Sequence, residues 1–331
     1  MTRVAVIGAG AWGTALADLL ARAGRDVVLW AREEDVVASV NDRHVNERFL
    51  AGFPLAPSLR ATSDMREAVA EAECITYVPP SHVLRPVVRA HAEHVRRDAV
   101  IVVASKGIER GTLDVMTDVV EAELPGRPVA ALSGPSFAAE VASRQPTAVV
   151  AASADPGVAE RVQQVFATER FRVYTHGDVL GVELGGALKN VMAVATGIVE
   201  GVGLGFNSRA ALITRGLAEM TRLGVALGAQ PATFAGLAGM GDLVLTCTGS
   251  LSRNRSLGVE VGQGRPLAEI LSSRETVAEG VTTAESARAL AERARVEMPI
   301  VAAVNRILFE AQAPARAIAE LMGRGLRTEQ D

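Results

Sequence analysis

Lysine is the charged residue this chain uses least. Of 34 basic residues, only Lys106 and Lys189 are lysine, and every other one is arginine. A composition drifting toward arginine replaces lysine wherever a solvated positive charge is enough. It does not replace it where chemistry needs an amine that can lose its proton, because a guanidinium stays charged while a buried ammonium can be tuned. The alternative is that the two are accidental survivors. Their surroundings argue against it: Lys106 follows an apolar strand-like run in Ala104-Ser105-Lys106-Gly107, and Lys189 sits in a Gly/Ala-rich helical stretch with almost no charge around it. Both read as active-site amines.

Other scarcities exclude whole classes. Two cysteines, Cys74 and Cys247, are too few for a disulfide framework, and they read as buried free thiols in a reducing cytosol. No Cys/His spacing suggests a zinc site. His91 and His94 are three apart on an expected helix but lack a third ligand, so a solvated helix face is expected there and no metal. A net charge of −4 gives no general attraction to nucleic acid, so any anion must be held by a local cluster. Apolar stretches are broken by Gly, Lys or Arg before reaching about 18 residues, so no membrane span is expected. The opening Met1-Thr2-Arg3 does not read as a signal peptide.

What is present starts with Val4-Ala5-Val6-Ile7, a β-branched run read as a buried parallel strand. It leads into Gly8-Ala9-Gly10-Ala11-Trp12-Gly13 and a helical run over 14–23. G-x-G-x-x-G between strand and helix is a dinucleotide-binding turn: the glycines allow a tight bend and close approach of backbone to a pyrophosphate, and the helix N-terminus supplies amides. A second strand is expected over 26–30. An acid at its end would bond the ribose 2′-hydroxyl of NAD, but Ala31-Arg32 stands there, followed by Glu33 and Glu34. Arg32 can pair with a 2′-phosphate, which favours NADP; the alternative is a solvated turn arginine.

A polar helical segment is expected over 36–56. Strands follow at 74–78, 99–104, 129–132, 146–152 and 171–174, separated by helices at 64–72, 81–95, 113–123 and 158–167. This alternation is a doubly wound α/β pattern, in which ligands sit beyond the carboxyl ends of the strands. The G-x-G-x-x-G turn, Pro79-Pro80-Ser81, Ser105-Lys106-Gly107 and Ser133-Gly134-Pro135-Ser136 all fall at such ends. After about residue 178 the pattern becomes helical almost to the end, with pieces at 182–200, 208–227, 262–271, 282–294 and 299–310, and with Gly201, Gly203 and Gly205 breaking two of them. The expected division is a Rossmann-like domain over 1–180 and an all-helical domain over 181–331. In the latter, Ser250-Leu251-Ser252-Arg253-Asn254-Arg255 reads as an anion-binding loop, because guanidinium holds phosphate bidentately. Asp242, after Gly239-Met240-Gly241, is placed either to orient Lys189, to hold a substrate hydroxyl, or to cap a helix.

Taken in order, Gly8-x-Gly10-x-x-Gly13, Ser105-Lys106-Gly107, Ser133-Gly134-Pro135-Ser136-Phe137-Ala138, Glu183-Leu184-Gly185-Gly186-Ala187-Leu188-Lys189-Asn190, Gly239-x-Gly241-Asp242 and Ser252-Arg253-Asn254-Arg255 resemble bacterial NAD(P)-dependent glycerol-3-phosphate dehydrogenases from Val4 to about Gly323. The resemblance implies interconversion of dihydroxyacetone phosphate and sn-glycerol 3-phosphate for glycerophospholipid synthesis, with NADP or NAD, in a cytoplasmic homodimer. It implies that Lys189 is the proton acceptor. It implies substrate contacts at Lys106, Gly134, Ser136, Lys189, Asp242, Ser252, Arg253 and Asn254. Besides the three glycines, it implies a nicotinamide-cofactor lining of Ala11, Trp12, Arg32, Glu33, Phe49, Lys106, Ala138, Arg253, Val277 and Glu279. The chain departs from the family's pattern where Ala11 replaces a common serine, Phe49 a common tyrosine, Glu33 a frequent basic residue, and where Tyr77-Val78-Pro79-Pro80-Ser81 carries an extra proline. Two rivals stand beside this reading. A ketopantoate or 6-phosphogluconate type of reductase would share the architecture, but the Arg-Asn-Arg run favours a small phosphate ester. A non-catalytic nucleotide sensor would have no use for tunable amines.

Overall fold

Residues 2–274, 278–326 and 328 are described by a computed structural model of the chain. Eight strands form one sheet: β1 (Arg3–Ile7), β2 (Asp26–Trp30), β3 (Arg60–Thr62), β4 (Cys74–Tyr77), β5 (Val100–Val103), β6 (Val129–Ser133), β7 (Thr147–Ala152) and β8 (Phe171–His176). They lie in the order β3-β2-β1-β4-β5-β6-β7-β8. The central strands are short β-branched runs buried on both faces, as a parallel sheet between helix layers requires. Two apolar clusters cover these faces.

Two features of the sheet were not legible as strand signals. β3, Arg-Ala-Thr, is short and starts on an exposed residue, so it shows no hydrophobic run. β7 runs antiparallel to β6, whereas every other neighbouring pair is parallel. A parallel crossover needs a helix long enough to span the sheet. The β6–β7 connection holds only the 5-residue helix Ala138–Ala142, so the chain turns back.

Some expected helices are shorter than the periodicity suggests. The 36–56 segment is helical only in Glu34–Arg43, which ends on His44 at φ 53 before an irregular stretch. The 81–95 segment is broken into a 3-10 turn at Ser81–Val83, a helix at Leu84–Arg89 and another turn at Ala92–His94. The expected solvated histidine face is also wrong. His91 is buried at 1% exposure, and its Nε2 lies 2.8 Å from the Tyr77 hydroxyl on β4. Burial pushes its pKa down to about 4. No cluster of metal-ligating side chains occurs among the described residues. Cys74 and Cys247 are both free and buried.

After β8 the chain is helical. The helix Val179–Gly201 is long and apolar enough to cross a membrane by length and composition, contrary to the expectation that no stretch would be; yet it is buried within the protein along its length. A helix covered on all sides needs no polar stripe, and this one is the axis of the helical half's core. Its partner Arg253–Gly262 crosses it backbone to backbone. A Cβ on Gly197 would collide with the Arg255 carbonyl, and one on Gly258 with the Val194 carbonyl; Gly201 and Gly262 repeat the contact one turn on. Gly201 therefore packs the helix end rather than breaking it. The expected 262–271 helix begins only at Leu267, after Gly264 at φ 89 and Pro266.

Glycine inside a helix costs about 1 kcal/mol relative to alanine, so this crossing is kept for the closeness it permits. Gly258→Ala should therefore destabilise the protein by about 1–3 kcal/mol, the range for overpacking. Gly177→Ala, where a Cβ meets nothing within 4 Å, should stay within about 0.5 kcal/mol of the parent. Chemical denaturation of both variants checks this, and equal midpoints would remove the crossing as a constraint.

Candidate active site

The strand ends converge as the doubly wound pattern requires. Gly8 takes φ 116, open chiefly to glycine. It packs against the Val78–Pro79 backbone at about 3.1–3.2 Å from where a Cβ would stand. Pro79, the first of the two prolines, thus stands with Val78 as the wall beside the glycine turn. Ser105 at the end of β5 donates to the Pro79 carbonyl at 2.6 Å, which joins the β4 and β5 ends.

Beyond β5 lies the centre of the site. Lys106 Nζ stands 2.6 Å from Asp242 Oδ2 and 3.2 Å from the Gly134 carbonyl oxygen. Lys189 Nζ bonds Asp242 Oδ1, and donates to Thr246 Oγ1 at 3.0 Å. One carboxylate therefore faces both lysines. Asp242 opens the helix Asp242–Thr248 and is 1% exposed; Lys189 is 7% exposed. Burial pushes the Lys189 ammonium down to about 8; Asp242 opposes that shift and Lys106 adds to it. Burial alone would raise the Asp242 carboxyl, but the two lysines hold it below its ordinary value. Gly186, one turn before Lys189, leaves room for this approach: a Cβ there would stand 2.7 Å from Ser133 Oγ and 3.4 Å from the Lys106 side chain.

The glycine turn carries the features of a pyrophosphate site. Gly10 precedes the helix Ala11–Arg22 and supplies no side-chain cap, so first-turn amides remain available to an anion. A Cβ on Gly13 would strike the Gly8 carbonyl. Trp12 is half-buried, and its indole Nε1 is buried without a partner. Ala11 and Ala138 are half-buried on the same core cluster, as is Phe49. Arg32 is exposed and paired with Glu33 Oε1 at 3.0 Å, so Glu33 competes for the guanidinium that a 2′-phosphate would use. Glu279 accepts from Ser81 N at 3.0 Å and Ser81 Oγ at 2.6 Å, tying the helix Glu279–Ala294 to the end of β4. Burial raises its carboxyl pKa, and Ser81 opposes. Val277 lies outside the described residues.

The Ser-Arg-Asn-Arg run is a helix start rather than a free loop. Ser252 is the N-cap of Arg253–Gly262, its hydroxyl accepting from Arg255 N at 3.2 Å. Asn254 donates to Asn190 Oδ1 at 2.9 Å and accepts from Gly280 N at 2.9 Å, which locks three helices together beside Lys189. Arg255 is not available to an anion, because its Nε lies 3.3 Å from Glu200 Oε2. Arg253 remains exposed, though the protein around it lowers its pKa against the pull of Glu279. Gly134, at φ 142, presents its carbonyl oxygen to Lys106 Nζ and to the Ser136 hydroxyl at 3.0 Å.

Sequence reasoning passed over three residues that the tertiary structure places in this frame. Thr246 lies one turn after Asp242 and touches Lys189. Asn190, next to that lysine, orients Asn254. Asn46, 1% exposed, donates to the Ala9 carbonyl at 2.9 Å and to Thr14 Oγ1 at 2.8 Å while accepting from Phe49 N, and so braces the glycine turn. The i,i+4 spacing of Asp242 and Thr246 was the available signal for the first; the other two contacts are long-range and left none.

Comparison with known proteins matches this geometry to one family. A family model described as the NAD-dependent glycerol-3-phosphate dehydrogenase N-terminus matches residues 3–159, and one for the C-terminus matches residues 178–319. The glycerol-3-phosphate dehydrogenase (NAD(P)+) of Geobacter sulfurreducens is 57% identical over 99% of this chain and 98% of its own length. That of Caulobacter vibrioides is 50% identical over 99% and 98%. The crystal structure of glycerol-3-phosphate dehydrogenase from Coxiella burnetii superimposes with a TM-score of 0.94 at 41% identity, covering 98% of this chain and 99% of that one. A ketopantoate reductase from Ralstonia eutropha reaches 0.59 at 15% identity and shares the fold alone. With both family models matched and relatives above half identity along nearly the whole length, the chain belongs to the NAD-dependent glycerol-3-phosphate dehydrogenase family.

Proposed function

We infer that this chain is an NAD(P)-dependent glycerol-3-phosphate dehydrogenase, reversibly converting dihydroxyacetone phosphate to sn-glycerol 3-phosphate for glycerophospholipid synthesis. The observation that carries the mechanism is the contact of the buried Asp242 carboxylate with both Lys106 and Lys189 beyond the end of β5. Residues 1–180 would bind the cofactor and 181–331 the substrate, a division supported by the change from sheet to helices after His176. The cofactor would lie along Gly8, Gly10, Ala11, Trp12, Gly13, Arg32, Glu33, Phe49, Lys106, Ala138, Arg253, Val277 and Glu279, the turn's open amides and the unpartnered Trp12 indole supporting its start. When bound, the nicotinamide supplies or accepts the hydride at the substrate's second carbon.

The chain's own residues handle the proton and the phosphate. In reduction, protonated Lys189 donates to the oxygen that becomes an alkoxide as the carbonyl bond is reduced; in oxidation its neutral amine takes that proton back. Asp242 and Thr246 fix the amine's direction, and Lys106 keeps its proton labile. Arg253, with Ser252, Asn254, Gly134 and Ser136 as substrate contacts, would hold the phosphate end. Binding energy at that remote group positions a small three-carbon substrate for reaction. A homodimer is proposed too, supported by the strongly exposed Phe206 at the start of the helix Phe206–Ala226, which is 80% exposed. A cytoplasmic location is proposed with it, in keeping with the two free thiols.

Oxidation of NAD(P)H on addition of dihydroxyacetone phosphate is the direct test, and its absence would defeat the reading. Lys189→Arg keeps a positive charge but cannot carry a proton near neutral pH. Its kcat should fall about 10²- to 10⁴-fold, the share of general acid–base catalysis, while NADPH binding followed by fluorescence stays intact. Retention of most of the rate would move the proton role to Lys106.

The pH dependence follows from the lowered Lys189 pKa. Oxidation needs the neutral amine, so its rate should climb with pH and level off above about 8; reduction needs the ammonium and should decline above the same value. A profile flat from pH 7 to 9 in both directions, pH values on either side of that ionisation, would contradict this. Arg253→Ala should cost about 2–4 kcal/mol in kcat/KM, as expected when a charged phosphate partner is lost. Wild-type kinetics in that variant would make Arg253 a surface residue only.

A further inference from the structure

The position of Lys106 is set by more than its contact with Asp242. The chain leaves β5 at Val103, passes Lys106, makes an excursion through 107–115, and returns in the helix Met116–Glu123 on the sheet. Along the way Ile108 and Val115 are buried in the helical half's core, with Leu184 and Leu188 of the long helix. Met116, Val119 and Val120, immediately after, belong to the sheet-face core instead. The excursion is closed on itself by the Ile108–Val115 bridge and by Glu109 N to the Asp114 carbonyl at 2.9 Å. It is one piece, shared between the two halves of the molecule.

Its return end is held by a residue that the mechanism above does not use. Glu183 stands on the helix that carries Lys189, less than two turns before it. Its carboxyl accepts from Thr117 N at 3.0 Å, and its other oxygen bonds the Thr117 hydroxyl. The helix Met116–Glu123 has no side-chain cap of its own at Val115, so the orphan amide of its first turn is satisfied from the other domain. Glu183 and Thr117 are 8% and 3% exposed. The excursion is thus clamped at both ends to the Lys189 helix and its neighbours: by Lys106 to Asp242 at the start, by Thr117 to Glu183 at the finish.

We propose that Glu183 is a positioning residue for catalysis: by capping the 116–123 helix across the domain junction, it sets the excursion so that the Lys106 amine reaches Asp242 and Lys189. This rests on the reading of Lys189 as the proton carrier. Burial pushes the Glu183 carboxyl up to about 8, with Asp118 adding to the shift and Thr117 opposing it. The group is therefore largely uncharged near neutrality, and an amide of the same shape can replace it.

Glu183→Ala should lower kcat with dihydroxyacetone phosphate by about 10²-fold per folded molecule, the scale for a small misplacement of reacting groups. NADPH affinity by fluorescence titration should not change. The ionisation in the oxidation profile should move above the value of about 8 set at Lys189, because water entry and retreat of Lys106 both favour the ammonium. Glu183→Gln should restore rate and profile together, and Thr117→Val, which removes only the hydroxyl partner, should repeat the alanine effect in weaker form. A Glu183→Ala enzyme with wild-type kcat and profile but a lower melting temperature would make the contact a structural cap and overturn the proposal. Should that variant fail to fold, wild-type kcat and profile in Thr117→Val would overturn it equally. Lys189→Arg run in parallel separates the two readings: an inactive arginine variant beside a fully active Glu183→Ala sinks the clamp alone, while an active arginine variant sinks the proton assignment on which the clamp rests.

Discussion

One buried carboxylate facing two ammonium groups is the constraint on which this molecule turns. Asp242 is almost wholly enclosed, and both of its oxygens are occupied by lysines. Removing one partner from such a set leaves an uncompensated buried charge, which is far costlier than losing a surface pair. With both lysines protonated the set is one positive charge in excess. Burial lowers the affinity of Lys189 for its proton, with Asp242 opposing and Lys106 adding to the shift, and the excess positive charge suits an anion beside it.

Bringing these groups together demands unusually close backbones. Lys106 comes from the sheet, Lys189 from the long helix, and Asp242 from the start of a short helix that follows a π-turn at Leu237–Gly241. The long helix is apolar because everything packs on it, and glycine-poor helices would hold its neighbours too far away. The crossing at Gly197, Gly201, Gly258 and Gly262 brings Asn254 against Asn190, the residue next to Lys189. Arg255, from the same short run, is turned the other way and spent on Glu200. A helix projects successive residues about 100° apart, so a run of polar residues that reads as one cradle is divided between a site and a scaffold.

The cofactor side shows a different balance. The glycine turn is braced by Asn46 and walled by Pro79, both far from it in sequence. Arg32, by contrast, is exposed and already paired with its neighbour Glu33. Such an exposed pair is worth little, so a 2′-phosphate can compete for the guanidinium without a large penalty, and its absence leaves the arginine satisfied. The geometry suits acceptance of either nicotinamide cofactor.

Much of this is legible in the sequence alone. Strand-glycine-helix order marked the cofactor turn, and β-branched runs marked all strands but β3. Two lysines surviving in an arginine-rich chain singled out the pair that the structure brings onto one carboxylate, Asp242. What the sequence could not specify depends on distance through space. The antiparallel β7, the burial of His91 under Tyr77, the loss of Arg255 to Glu200, and the contacts of Thr246, Asn46 and Glu183 are each decided by packing between segments 14 or more residues apart. Local pattern records which face of an element is apolar; it does not record which element will cover it. The amines were therefore determined by composition, and their proton affinity only by the tertiary structure, since burial and a shared carboxylate exist only once the sheet and helices have closed on one another.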